Sequence, residues 1–259
     1  MYTAFIVGTA GSGKSFLTSI LANRLKIFEI DVATMNLDPG VLRLPYAPDM
    51  DVREYIDINE IMTEYELGPN GGLVAAVDLI TSQSAEILEE IKVRSPDILL
   101  IDTPGQMELF AFRPTGVIAA NQFGGEKCVL VNLMDANLCR NPYGLINSIV
   151  LALSVQMRFF YPQLNLISKS DLIEESQLED LQNWIEDSFA FEDAINATIT
   201  GEKRELALRL HQTIDELQVF AETFPVSAKT NFNIDNLYGK LQVIWQGGED
   251  FQVEDRVIR

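Results

Sequence analysis

The chain is short of basic residues: 19 Lys and Arg stand against 38 Asp and Glu, a formal net charge of −19 at pH 7. A surface so acidic repels nucleic acid and anionic lipid, and no basic stripe interrupts it. Neither is an expected partner; a protein partner, or solubility alone, suits the charge better. Histidine is scarcer still. The single His211, placed mid-helix by the pattern Leu208-Arg209-Leu210-His211-Gln212, excludes a histidine-built metal centre and reads as a packing or surface residue. The two cysteines, Cys128 and Cys139, have neither CxxC nor metal-ligand spacing, and Cys128 falls inside an apolar run, so it reads as a buried thiol. No run of about 20 uncharged apolar residues occurs, so no membrane span is expected. Strand-like sequence follows Met1 almost at once, so no signal peptide is expected either and the location reads as cytoplasmic. No Pro-, Ser- or Gly-rich linker divides the chain, which suits one domain over residues 1–259 carrying an insertion.

What the chain does have is a rhythm. Apolar runs at 4–8, 30–37, 97–102, 127–134, 163–168 and 223–227 alternate with helical patterns at 14–26, 58–66, 72–93, 106–121, 143–160 and 233–246. That alternation predicts an α/β fold: a doubly wound, mostly parallel sheet flanked by helices. The last helix shows its period best, with Ile234, Leu237, Tyr238, Leu241, Ile244 and Trp245 on one core face. Residues 174–222 break the rhythm, because two strands are separated there by far more chain than one crossover helix needs. The pattern predicts a helical insertion or lid, split near Gly201. Its many apolar residues, among them Leu181, Trp184, Phe191, Ile195 and Ile214, either pack on the main sheet or line a groove for an apolar partner.

The chemistry begins at Gly8-Thr9-Ala10-Gly11-Ser12-Gly13-Lys14-Ser15, set between a strand-like run and an amphipathic stretch. This is a phosphate-binding loop in its required context, predicting a P-loop NTPase. The glycines let the backbone wrap a phosphate with its N–H groups inward, and the next helix presents its positive end to the same anion. Lys14 is expected to reach the β- and γ-phosphates and Ser15 to place its hydroxyl on Mg²⁺. Gly11, Ser12, Gly13, Lys14, Ser15 and Phe16 are the nucleotide-binding residues expected of this loop.

Asp102 closes the strand Ile98-Leu99-Leu100-Ile101 and opens Thr103-Pro104-Gly105, where a second Mg²⁺-side carboxylate belongs. The D-x-x-G spacing offers the Gly105 N–H to the γ-phosphate. Ser168-Lys169-Ser170-Asp171 and Ser227-Ala228-Lys229 both end strands. An Asp there can accept two N–H bonds from guanine, a Lys stem can pack along the purine, and a backbone N–H near Ala228 can meet O6. Adenine presents the reverse pattern and would leave buried groups unpaired, so the pair of motifs points to GTP.

In this order, Gly8–Ser15, Asn36-Leu37-Asp38-Pro39-Gly40, Asp51-Val52-Arg53-Glu54, Gly68-Pro69-Asn70-Gly71, Asp102-Thr103-Pro104-Gly105-Gln106 and the guanine motifs resemble the GPN-loop GTPases over nearly the whole chain. The Gly-Pro-Asn insert at 68–70 is that family's signature. The resemblance implies a homodimer formed through the nucleotide face, with each Gly-Pro-Asn loop reaching toward the other copy's phosphates. It implies that Asp38, Gln106 and Glu108 position and polarise the attacking water, helped by Asn70 of the other copy, and that Asp38 joins Ser15 and Asp102 on the metal side. Involvement of eukaryotic relatives in polymerase assembly makes a polymerase-type client the analogy for this chain.

The chain departs from the family pattern at Ser168, where an Asn normally ties the base site to the P-loop; the shorter side chain is expected to weaken affinity and leave Asp171's discrimination intact. Thr9 stands where related dimerising NTPases carry a second lysine. Arg53 reads as a local ion pair as readily as a catalytic cation, and neither it nor Arg43 is assigned that role. Two other readings of the chain remain open: a P-loop kinase for a small molecule, with Lys203, Arg204 and Arg209 on a closing lid, and a guanine-nucleotide-binding module without catalysis.

Overall fold

The computed structural model describes residues 1–246. Seven strands form one sheet: β1 (Tyr2–Gly8), β2 (Val32–Asn36), β3 (Met50–Asp51), β4 (Ile98–Asp102), β5 (Cys128–Asp135), β6 (Gln163–Ser168) and β7 (Thr223–Pro225). Their order is β3-β2-β4-β1-β5-β6-β7, with every ladder parallel. Parallel strands covered on both faces need near-continuous apolar sequence, and the runs supply it: all five residues of β4 are buried.

The helices are α1 (Lys14–Ile27), α2 (Ile58–Glu64), α3 (Pro69–Leu79), α4 (Ser84–Arg94), α5 (Met107–Phe110), α6 (Pro114–Gly124), α7 (Ala136–Cys139), α8 (Pro142–Phe159), α9 (Glu175–Glu186), α10 (Ser188–Thr198), α11 (Glu202–Glu216) and α12 (Ile234–Gln246). Helices α1 and α12 cover one face of the sheet. Leu17, Leu21 and Leu25 meet Ile6, Leu100 and Val131 there, and the predicted stripe of α12 joins the same cluster. On the other face Phe110 stacks between Phe5 and Phe159, with ring centroids at 5.9 and 5.6 Å. That anchor fixes the chain just after the Asp102–Gly105 loop, and truncating a buried Phe of this kind to Ala costs about 3–5 kcal/mol.

Three expectations are corrected. The strand β3 escaped the sequence reading because it is only two residues long, too short to carry a period. The predicted helix 72–93 is two helices. Thr81, Ser82 and Ser84 hydroxyls bond the carbonyls of Asp78, Leu79 and Thr81 at 3.1, 2.6 and 2.8 Å, ending one helix before the next begins. The predicted helix 106–121 also divides, because Pro114 holds N1 of α6 and forces Arg113 into extended backbone. Pro69 likewise holds N1 of α3, so the Gly-Pro-Asn segment leads directly into a helix.

The segment 174–222 forms α9, α10 and α11 with a short 3-10 turn at Val219–Glu222. Leu181, Trp184, Phe191, Ile195 and Ile214 are buried against Met134, Leu145, Ile146 and Ile149, so these apolar residues pack on α8 and the sheet. His211 is buried among them: its ring meets Phe191 edge-on at 5.0 Å, and Nε2 lies 3.1 Å from the Ser188 carbonyl. Both cysteines are buried and free, and burial pushes the Cys128 thiol up to about 12. None of the described helices is long and apolar enough to cross a membrane.

Candidate nucleotide site

Strand register assembles the site. Asp51, Asn36, Asp102 and Ile6 lie in one row across β3, β2, β4 and β1, so three polar side chains meet at the carboxyl edge of the sheet. That edge, beside the first loop, is where doubly wound sheets bind ligands.

The loop after β1 turns into α1 through Gly13, whose φ of 98° lies in the left-handed region that a side chain disfavours. Lys14 is 5% exposed. Its ammonium donates to the carbonyls of Gly8, Thr9 and Gly105 at 3.0, 3.1 and 3.3 Å. Burial lowers its pKa against the pull of Asp102 and Asp38. Ser15 is half-buried at the start of α1, and Phe16 is largely exposed.

Asp102 is 1% exposed, and burial pushes its carboxyl up to about 6 against the pull of Ser15, Lys14 and Tyr46. Tyr46 donates its hydroxyl to Asp102 Oδ2 at 3.2 Å. Oδ1 is buried with no hydrogen-bond partner; the Ser15 hydroxyl lies near the carboxylate without reaching a hydrogen bond to that oxygen. Burial and Asp102 raise the Tyr46 hydroxyl well above its ordinary range, so it stays a donor. Among the described residues no three or more His, Cys, Asp or Glu side chains cluster as a metal cage. An unpartnered buried carboxylate oxygen beside a Ser hydroxyl fits what a magnesium ion asks of a protein, one or two oxygen ligands with the remainder from water and phosphate.

Asp38 bridges two segments. Its Oδ2 accepts the Gly105 N–H at 2.8 Å and its Oδ1 the Gly40 N–H at 2.9 Å. Asn36 steadies it, accepting the Asp38 N–H at 3.0 Å and donating to Asp51 at 2.9 Å. Asp51 is also gripped by Arg53, whose Nη2 lies 2.5 Å from Oδ2 while Nη1 donates to the Val41 carbonyl at 3.0 Å. Arg53 is therefore engaged in the local ion pair. Gln106, Glu108 and Asn70 are exposed, and their side chains make no hydrogen bond among the described residues. Gln106 stands at the N-cap of α5, Glu108 lies in its first turn and Asn70 in the first turn of α3.

A cavity of about 180 Å³ lies against the P-loop and the start of α1. Ser12, Gly13, Phe16, Lys169, Asp171, Ala228 and Lys229 line it, so the P-loop and both guanine motifs share one cleft. Asp171 Oδ1 accepts from the buried Ser227 hydroxyl at 2.6 Å, and Lys229 Nζ lies 3.7 Å from Oδ2. Lys169, in left-handed conformation, pairs with Asp135 at 2.7 Å. Burial alone would raise the Asp135 carboxyl, but Lys169 and the Asn137 amide outweigh it and hold it below the usual range. Ser168 places its hydroxyl 2.8 Å from the Ser12 carbonyl and 3.1 Å from that of Met134. The short side chain thus keeps the tie to the P-loop that its length put in question.

Sequence reasoning missed Tyr46 and the steadying role of Asn36. Tyr46 stands in an irregular segment with no period or motif to mark it. Asn36 was visible inside its motif, but its partner Asp51 lies on β3, the strand too short to read.

A phosphate loop, a carboxylate at the end of the adjacent strand and a purine-sized cleft define a P-loop nucleotide-binding protein. The sequence profile of a family described as "Conserved hypothetical ATP binding protein" matches residues 6–247. GPN-loop GTPase PAB0955 of Pyrococcus abyssi is 36% identical over 183 residues, 70% of this chain and 72% of the relative. GPN-loop GTPase 1 of Dictyostelium discoideum is 31% identical over 242 residues; these are 91% of this chain but only 59% of the relative's length. GPN-loop GTPase 3 of Mycosarcoma maydis is 26% identical, with 96% of this chain and 93% of the relative covered. The crystal structure of the Pyrococcus abyssi GTPase in apo form matches with a TM-score of 0.85 at 30% identity, over 95% of this chain and 98% of that one. The chain belongs to the GPN-loop GTPase family.

Proposed function

We propose that this chain is a Mg²⁺-dependent GTP hydrolase that works in the cytoplasm as a homodimeric, nucleotide-driven switch on a protein client. What supports the reading most is Gly105, gripped by Lys14 at its carbonyl and by Asp38 at its amide. A γ-phosphate drawn to Lys14 competes for both contacts, so its arrival and loss rearrange the segments that carry Asp38 and Gly105. Ser15, Asp38 and Asp102 would hold Mg²⁺, which when bound would supply positive charge against the negative charge developing on the phosphates.

In this reading the cleft around Asp171 selects guanine: a carboxylate oriented by Ser227 accepts the two guanine N–H groups and finds no such donors on adenine. The description of the matching family names ATP, and the acceptor chemistry of Asp171 argues for GTP. Asp38, Gln106 and Glu108 orient the attacking water, with Asn70 of a second copy completing the site; positioning and charge supply most of such catalysis. A kinase lid is disfavoured, because Arg209 is exposed and paired with Glu205 on its own helix.

Phosphate release from GTP and from ATP, measured on the wild type and Gln106→Ala alongside light scattering in GDP and in a non-hydrolysable GTP analogue, tests the proposal. GTP-selective turnover lost in Gln106→Ala, with a dimer in at least one nucleotide state, is expected. Equal turnover of ATP, or hydrolysis untouched by the substitution, would overturn the assignment.

A further inference from the structure

Asp102 has two unlike oxygens. Oδ2 accepts the Tyr46 hydroxyl at 3.2 Å, while Oδ1 is buried with no hydrogen-bond partner. A carboxylate left to itself turns in a broad torsional well about χ2, so either oxygen can face a ligand. One held by a phenol at a single oxygen cannot turn without breaking that bond, and such outer bonds are what orient and tune metal ligands.

The phenol is itself held. Tyr46 belongs to the segment 37–49 between β2 and β3, and that segment is strapped at both ends. Near its start Arg53 donates to the Val41 carbonyl at 3.0 Å. At its end Asp49 Oδ2 accepts from Thr34 N and Thr34 Oγ1 at 2.7 and 3.0 Å. Asn36 adds a third tie, donating to the Asp38 carbonyl at 3.2 Å. Tyr46 is partly buried on this strap, so its hydroxyl approaches Asp102 from a fixed side.

We propose that Tyr46 is a positioning residue for Asp102: by engaging Oδ2 it reserves Oδ1 for the Mg²⁺ of the bound nucleotide. The proposal rests on the reading that Mg²⁺ is held beside Ser15 and Asp102. Tyr46 acts through the carboxylate, so its effect belongs to the metal and not to the nucleotide as such.

The test is release of N-methylanthraniloyl-GDP from the wild type, Tyr46→Phe and Asp102→Asn, followed from EDTA through increasing Mg²⁺. Tyr46→Phe keeps the ring and removes one hydroxyl. It is expected to match the wild type's release rate in EDTA, yet to need roughly tenfold more Mg²⁺ for half-maximal slowing. Asp102→Asn is expected to lose most of the Mg²⁺ response. Superimposable Mg²⁺ curves for the wild type and Tyr46→Phe overturn the proposal while leaving the metal reading intact. A lower Mg²⁺ requirement in Tyr46→Phe also overturns it, since the phenol would then be a competitor of the cation. An equal defect in EDTA makes the hydroxyl a general support and overturns it too. A wild type indifferent to Mg²⁺ overturns both readings.

Discussion

The Asp38 carboxylate accepts the Gly105 amide hydrogen at 2.8 Å, so an internal acid occupies the donor that a terminal phosphate would use. Asp38→Ala frees that amide and removes a group proposed to orient water. The expected outcome is a split: kcat for GTP with Mg²⁺ falls at least about tenfold, while affinity for GTP relative to GDP in EDTA, where the proposed metal role of Asp38 does not enter, rises by up to about tenfold, the scale of one charged hydrogen bond. Single-turnover hydrolysis and nucleotide competition measure the two. A fall in both together would mean that the carboxylate assists phosphate binding instead of competing with it.

The base cleft separates affinity from selectivity. Ser168→Ala removes the hydroxyl that meets the Ser12 and Met134 carbonyls, and is expected to weaken GTP and GDP alike by about fivefold to tenfold. Asp171→Ala is expected to erase the preference for guanine over adenine, by about 100-fold or more, as sites built around substrate hydrogen bonds do. Competition between GTP and ATP on both variants decides it.

Arg53 and Asp51 give a dependence on acidity. Burial would raise the Asp51 carboxyl, but bonds from Arg53 and Asn36 outweigh it and hold it below its ordinary range. A folded-state pKa below the unfolded one contributes stability above the unfolded value and loses it as pH falls through the folded one. Arg53→Gln should therefore cost on the order of 2 kcal/mol near pH 7 and progressively less below about pH 4. Denaturant midpoints at pH 7, 5 and 3 read the difference; a constant penalty would place the contribution of Arg53 elsewhere.

Two glycines make opposite predictions. A Cβ on Gly116 would lie 1.7 Å from the Phe110 carbonyl oxygen, where α6 crosses the end of α5. Gly116→Ala is expected to destabilise by about 3 kcal/mol and to disturb the Asp102–Gly105 side of the site. Gly239, inside α12, has nothing within 4 Å, so Gly239→Ala should stabilise by about 0.5–1 kcal/mol. Urea unfolding of both variants checks the pair.

Much of this was written in local sequence. The strands β1, β4, β5 and β6 announce themselves because strands covered on both faces leave continuous apolar runs. Lys14, Asp102 and Asp171 stand at strand ends, where motif spacing and topology agree. The breaks at Thr81–Ser84 and Arg113–Pro114 were legible only in hindsight, since hydroxyl capping and a proline at N1 compete with a helical period that runs on through them. Tyr46 was beyond reach: it meets Asp102 across 56 residues of chain, through a segment whose course is set by side-chain straps to other strands.

The two margins of the sheet are both brief. Strand β3 has two residues and β7 three, and the last of these is Pro225, which has no N–H to give; its carbonyl accepts from Asn233 at 2.8 Å. Neither margin offers a ladder long enough for another chain to extend, which is how natural sheets escape edge-to-edge growth. Copies carrying 38 acidic residues against 19 basic ones also repel. Among the described residues these margins disfavour edge-to-edge stacking, which steers copies that associate toward side-chain surfaces rather than shared backbone.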